Sequence, residues 1–297
     1  MQQNPAMMRY YDPHPSSARV LGADNGEFRL DQYYTSIFLA DTLPNPARYL
    51  ADMELYVAES ELRYGVSESS DIELTIPVMR PLAGVLDPFL RNYHRALGFP
   101  NGGREFQPDN RFAYRYQGVT GGWNSRARWE MGNIRLKLRQ QLLKNMLTVM
   151  GGLQFPTASS KRGWTNGGVD MGLGIAGSWE SEAWFMHLEG WWLHPFARDD
   201  TGSPVRDYFR GSWTLGRQII IFPVAFNLIA QVQGGSSPYH TGITTLDAAP
   251  WLFSVGFRTV TPRGVQWSFA FIENITQQST QDFGITLGFS VPLVFFR

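Results

Sequence analysis

From residue 27 onward the chain alternates between apolar and polar positions. In 282–295 Phe283, Ile285, Leu287, Phe289, Val291, Leu293 and Phe295 occupy every second place, and Asp282, Gly284, Thr286, Gly288 and Ser290 fall between them. The same period sets Met171, Leu173, Ile175 and Trp179 against Asp170, Gly172, Gly174 and Ser178. It sets Phe222, Val224, Phe226, Leu228 and Val232 against Asn227, Gln231 and Gln233, and Trp251, Phe253, Val255 and Phe257 against Ser254, Gly256 and Arg258. A period of two is a strand with one greasy face. About twelve such segments follow one another, each near the roughly nine to eleven residues that cross a bilayer when tilted.

The connections alternate in length. Those near 65–70, 140–144, 180–182, 216–218 and 261–264 are short, and those near 41–53, 79–119, 157–167, 195–206 and 234–249 are long. Tight turns at one end and long loops at the other are the rhythm of an outer-membrane barrel. The second face carries mostly Gly, Ser, Thr, Ala, Asn and Gln, where a solvated exterior would be rich in Lys and Glu. A greasy face this dense in Phe and Trp would overfill a barrel interior, so it faces lipid, and Trp179, Trp184, Trp192, Trp213, Trp251 and Trp267 are candidates for the interfacial girdles. In a bilayer only closure satisfies every strand edge. A soluble β-sandwich is the competing fold. The expected fold is therefore all-β: an antiparallel transmembrane β-barrel of about twelve strands over 25–297, with 1–24 as a periplasmic or lumen-entering segment. An even strand count places both termini in the periplasm.

Composition narrows the class. With 26 basic and 26 acidic residues no net field draws the chain to nucleic acid, and with no cysteine it has neither disulfides nor thiolate metal sites. No apolar run is long enough for a transmembrane helix, and the N-terminal stretch lacks the basic-then-apolar order of a signal peptide, which is expected to be gone from this numbering. The terminal Phe295 and Phe296 resemble the signature read by the bacterial barrel assembly machinery, although Arg297 follows. Outer-membrane lipids, lipopolysaccharide and that machinery are the expected partners.

Strand parity assigns the lumen. Glu59, Glu61, Arg63, Asp71, Glu73 and Thr75 point inward, and so do Arg135, Lys137 and Arg139. A bulge near Gly132 is expected to turn Arg126, Arg128 and Glu130 inward as well. An acidic wall beside a basic wall would make a transverse field; the alternative is a set of interior ion pairs that neutralise one another. His187 and Glu189 share the lumen face and are expected to be a hydrogen-bonded pair. In the long connection, LDPFLRNYHRALG reads as a helix with Asp87 as N-cap, Pro88 in the first turn and Gly98 at the stop. It either folds inward to narrow the pore or lids the outer rim.

Enzymatic signals are weak. GLGIAG at 172–177 fits a dinucleotide fingerprint but lies within an alternating strand, where its small residues pack on the lumen face. A lipid-acting barrel enzyme needs a serine activated by an oriented histidine, and His14, His94, His187, His194 and His240 offer no such spacing, nor any metal-ligand pair. Neither cofactor nor metal is expected.

The stretches DMELYVAESELRYGVSESSDIELTIPV, GVLDPFLRNYHRALGFPNGGR and FIENITQQSTQDFGITLGF resemble a bacterial outer-membrane barrel family known as a domain of unknown function. The likeness runs from about Asn4 to Phe296, and the spacing of Leu86, Asp87, His94, Gly98, Pro100, Gly102, Gly103 and Arg104 is its most specific part. It implies a porin-like barrel with no assigned substrate and no catalytic residues. The expected function is passive passage of small polar or charged solutes, with a plugged structural or partner-docking barrel as the alternative and a lipid-acting enzyme third.

Overall fold

A computed structural model describes residues 3–41, 49–98, 103–196, 199–221, 224–276 and 279–294. Phe222, Pro100, Gly102 and the terminal Phe295–Phe296 pair lie outside the described residues. The long strands are β1 (Asn25–Ala40), β2 (Tyr49–Ser67) and β3 (Ser70–Leu82), followed after helix α1 (Asp87–Leu97) by short β4 (Ala113–Gln117), β5 (Gly122–Asn124) and β6 (Glu130–Met131). Then come β7 (Ile134–Leu143), β8 (Leu147–Phe155), β9 (Asp170–Glu180), β10 (Trp184–Pro195), β11 (Tyr208–Ile221) and β12 (Val224–Gly235). Helix α2 (Thr244–Asp247) precedes β13 (Trp251–Val260), β14 (Gln266–Asn274) and β15 (Phe283–Val294).

Twelve of these strands close into one antiparallel barrel. β3 pairs with β7, the later strands follow in order, and β15 returns to β1 with Asn25 opposite Val294 and Ser36 opposite Phe283. The short strands β4 and β5 extend β2 beyond the closed ring, where Tyr49 faces Tyr116. One end of the barrel carries tight turns and the other the long connections; these are called the turn end and the loop end below. The β11–β12 connection falls beyond the expected 216–218, since β11 runs to Ile221 and Gly216, Arg217 and Gln218 remain in the ladder opposite Ile229, Leu228 and Asn227.

Apolar side chains on the outer face are exposed, as lipid-facing groups are when no lipid is present: Leu173 56%, Ile175 51% and Leu287 55%. Trp179, Trp184 and Trp267 stand near the turn end and Trp192 and Trp251 near the loop end, consistent with two girdles. Trp213 departs from that pattern, since it lies opposite Leu188 and Val232, nearer the middle.

The expected bulge is present. Thr75 faces Arg135, but Val78 faces Met131, one residue out of step, and the Gly132 N–H donates to the Pro77 carbonyl at 2.8 Å. It turns Glu130 into the protein while Met131 stays outside.

Candidate functional site

Residues 3–24 run through the lumen from the loop end to the turn end, where they join β1. Pro5, Pro13 and Pro15 lack the N–H that a ladder requires. Apart from a 3-10 turn at Met7–Arg9 the segment therefore has no regular structure, and its backbone is satisfied by side chains of the wall. At the loop end the Gln3 N–H donates to Gln281 at 3.0 Å and the Asn4 side chain to the Ser279 carbonyl at 2.8 Å. Ala6 and Met7 pack with Tyr239, Ile243, Leu246 and Ile272 in a closed apolar cluster.

Arg9 lies below that seal. It is fully buried and its guanidinium bonds Asp199 at 3.0 Å, Asp200, the Thr165 carbonyl at 3.0 Å and the Tyr239 hydroxyl at 3.2 Å, while lying 4.2 Å above the Trp123 ring. The Tyr10 hydroxyl donates to the same Asp199 at 2.5 Å. Tyr11 stands edge-on to Trp191, its N–H bonds Asp170 at 2.9 Å, and its carbonyl accepts from Tyr208 at 2.6 Å. Two lumen-facing glycines make room for this ring: a Cβ on Gly152 would sit 2.1 Å from the Tyr11 hydroxyl, and one on Gly172 3.0 Å from Tyr11 Cε1. The small residues of GLGIAG thus seat aromatic rings, Gly174 doing the same for Trp191.

Toward the turn end the contacts become ionic and polar. Asp12 meets Arg210 at 2.9 Å, His14 meets Glu59 at 2.7 Å, and Ser16 donates twice to Glu189, at 2.5 and 2.9 Å. The Ala18 N–H bonds Ser178 at 2.8 Å and the Leu21 N–H bonds Asp71 at 2.8 Å.

Among the residues assigned to the lumen, Glu59, Glu61, Glu73, Arg135, Lys137 and Arg139 all face inward. They form interlocked pairs rather than opposed walls: Arg135 with Glu59 at 2.5 Å, Lys137 with Glu73 at 2.9 Å, and Arg139 with Asp71 at 2.7 Å. The pairing follows from the register, which sets Glu73 opposite Lys137 and Asp71 opposite Arg139 on adjacent strands. Arg126 and Arg128 do not face the lumen. Strand β5 ends at Asn124, alternation does not carry through the irregular 125–129 segment, and both arginines are exposed there. Nor are His187 and Glu189 bonded to each other. His187 Nδ1 shares a 2.8 Å hydrogen bond with Ser178, and Glu189 accepts from Ser16 and Trp191. Residues two apart on a strand share a face, yet each finds a closer partner across the ladder or on the plug.

Between the plug and the β11–β14 wall remains a polar cavity of about 590 Å³. It reaches the turn end, being lined there by Arg19, Glu180, Val260 and Gln266. A second pocket of about 160 Å³ shares His14, Pro15, Arg29, Gln231 and Ser268 with it and continues deeper. Thr214, Asn227, Gln231 and Ser268 offer hydrogen bonds on one side, and Arg29, Glu61, Glu73 and Lys137 charge on the other. Arg258 also lines the cavity, and among the described residues no carboxylate lies within ion-pair distance of it. The serine and histidine that do meet, Ser178 and His187, have no carboxylate bonded to the imidazole among the described residues, and the serine oxygen already accepts from the plug. Nor do the described residues hold a group of three or more side chains suited to a metal.

Helix α1 is neither a lumen constriction nor capped by Asp87. It packs on the outer surface of the rim, where Phe89 and Tyr93 lie 6.1 and 6.0 Å from the outward ring of Phe283. Leu86 is the N-cap, and Gly98 ends the helix in the left-handed region at φ 74°. Asp87 instead bonds Arg104, which also holds Asp282 at 2.5 Å, and the same Asp87 accepts the Asn110 N–H at 2.7 Å. Outward-facing Glu54 accepts the Val85 and Leu86 N–H groups at 2.6 and 2.5 Å, fixing the helix start against β2. His94 is buried against the barrel. On the open side, Arg91 hydrogen bonds hold the Asp109 carboxyl below the usual carboxylate range.

The fold recurs among solved structures. An outer-membrane channel from Pseudomonas putida F1 is 12% identical, with 95% of this chain and 100% of that one covered at a TM-score of 0.59. The Pseudomonas putida toluene transporter TodX matches over 98% of each chain at 9% identity and a TM-score of 0.46. LpxR from Salmonella typhimurium, at 8% identity, covers 91% of this chain and 100% of its own at 0.45. The first likeness establishes a shared fold, that of an outer-membrane β-barrel; the other two scores add nothing to it. No curated protein matches the chain. The model of the family described as protein of unknown function (DUF3187) matches residues 1–292, and the chain belongs to that family.

Proposed function

We propose that the protein is an outer-membrane channel for small polar or charged solutes, held shut by its own N-terminal segment, with the turn end and both termini on the periplasmic side. The observation that carries this reading is the 590 Å³ polar cavity beside the plug. A barrel whose only task is structural would be expected to fill its interior, as small barrels do. Here most of the apolar packing lies toward the loop end, and the large cavity is lined mainly by hydrogen-bonding and charged groups that suit a hydrated solute. Glu59, Glu61, Glu73, Arg135, Lys137 and Arg139 are then the charged flank of the path, Glu189 anchors the plug to the wall while His187 holds the Ser178 hydroxyl that accepts the Ala18 N–H, and Asp87, His94 and Arg104 fix the rim loop.

The dense wiring of residues 3–22 favours a second reading, a barrel that stays plugged and serves as a docking platform. Single-channel recording in a planar bilayer separates the two. The full chain is expected to be closed most of the time with brief ohmic openings, and a chain lacking residues 3–20 to conduct steadily, with ion preference altered by Arg258→Ser. Electrical silence of the shortened chain, shown to be folded by its heat-shifted electrophoretic mobility, would sink the channel reading.

A further inference from the structure

The outer wall carries an arginine where the apolar surface ends. Along β3 the outward residues are Ile72, Leu74, Ile76 and Val78, and the next is Arg80. Eight residues of tilted strand separate Ile72 from Arg80, roughly 20 Å along the barrel axis, which places Arg80 near the far edge of an apolar band about 25 Å tall. Its guanidinium lies 5.5 Å over the ring of Trp129, and Tyr56, directly opposite on β2, meets the same ring edge-on at 6.1 Å. Trp129 is 55% exposed and follows Arg126 and Arg128, both exposed. Arg128 reaches inward to Glu130, but among the described residues neither Arg80 nor Arg126 has a carboxylate within ion-pair distance.

We propose that this patch, Arg80 stacked on Trp129 beside Tyr56 with Arg126 and Arg128 above, binds the anionic phosphate of a membrane-lipid headgroup. The physical case has three parts. An arginine on the lipid-facing wall is tolerated near the interface, where a phosphate plane offers it a partner. Stacking on an aromatic face holds the planar guanidinium while leaving its N–H edge free for bidentate bonds to phosphate oxygens. Arginines on the irregular strand approach above supply further charge on the aqueous side. A soluble acidic partner is disfavoured because Tyr56, Val78 and Met131 immediately below belong to the apolar wall, so the site straddles tail and headgroup as a lipid does. The opposite membrane edge offers a comparison: Arg217 lies 5.1 Å over Trp184 at the turn end, but without neighbouring arginines on the same segment.

The assignment rests on the lipid-facing wall and is independent of whether solutes cross. Native mass spectrometry of the purified barrel in nonionic detergent, titrated with dioleoyl phosphatidylglycerol or with phosphate-free dioleoylglycerol, tests it. The wild-type chain is expected to retain the phosphatidylglycerol and not the diacylglycerol, and Arg80→Gln to weaken retention about tenfold, as loss of a charged hydrogen-bond donor does. The variant Arg126→Gln alters an exposed side chain with no carboxylate within ion-pair distance among the described residues and is expected to weaken it in the same direction. Retention unchanged in both variants would overturn the proposal, as would equal retention of the two lipids, or an equal loss on Arg217→Gln. Conductance does not depend on Arg80, so a failed lipid titration leaves the channel reading to its own test.

Discussion

Arg9 is the residue on which the seal depends. Replacing it with Met keeps the length of the side chain and removes the guanidinium that Asp199, Asp200, the Thr165 carbonyl and Tyr239 share. Asp199 is 3% exposed and would be left as a buried charge, held among the described residues by the Tyr10 hydroxyl and the N–H and hydroxyl of Thr201. Breaking one side of a buried ion pair costs about 3–5 kcal/mol, and the donors that remain argue for the lower figure. If that cost falls on the seated plug, about 3 kcal/mol raises the unseated population roughly 100-fold, at 1.36 kcal/mol per tenfold. The chain has no cysteine, so one introduced at Ala6, a fully buried position, is a unique reporter that tolerates a small apolar thiol. Its reaction with a water-soluble maleimide proceeds through the unseated state, and its rate tracks that population while reseating is fast. Arg9→Met in the Ala6→Cys background is expected to speed labelling about 100-fold with the folded electrophoretic mobility unchanged. A rate within about twofold of the parent would refute the idea that Arg9 latches the plug.

Three further outcomes follow from the same contacts. Gly152→Val places methyl groups where the Tyr11 hydroxyl sits and is expected to raise the open probability of single channels, whereas Gly151→Val on the same strand, which meets nothing within 4 Å, is expected to leave it unchanged. Lys137→Met leaves Glu73, among the described residues, with the distant Arg139 at 3.7 Å as its one remaining ion-pair partner and is expected to destabilise the barrel by about 3 kcal/mol in urea unfolding from vesicles. Arg104→Ala removes the bridge from Asp87 to Asp282 and is expected to expose 83–98 to protease without changing conductance, since the helix lies outside the lumen.

The barrel was legible because a closed sheet in lipid imposes one rule on every strand: Leu173, Ile175 and Leu287 outside, Glu73 and Lys137 inside. The rule fails where a strand stops. Arg126 and Arg128 belong to no strand, so their parity carries no information, and Asp87 lost its cap role because Arg104, seventeen positions away, competes for its carboxylate. A lumen-entering N-terminal segment was one of the two readings the sequence allowed, but how it is seated was not legible. Pro5, Pro13 and Pro15 mark 3–24 as irregular, but no local pattern says that Arg9 will meet Asp199 or Tyr11 the notch at Gly152 and Gly172. One signal was present without being decisive: lumen-facing glycines on β8 and β9 leave a space that some aromatic side chain must fill. The seating of this segment depends on partners far apart in the chain, which periodicity does not encode.

The seam that completes the barrel joins its first strand to its last, and the segment inside it leads directly into that first strand. Once Asn25–Ser36 and Phe283–Val294 have zipped together, residues 3–24 lie in a ring of twelve strands whose loop end is packed shut above them. Because the segment is tethered to β1 at the turn end and covered by the apolar packing at the loop end, its way out of the lumen and back is through the turn-end mouth. Gating is therefore expected to be one-sided: whatever displaces the segment acts from the turn end, and the contacts of Gln3 and Asn4 at the loop end are the last to form when it reseats.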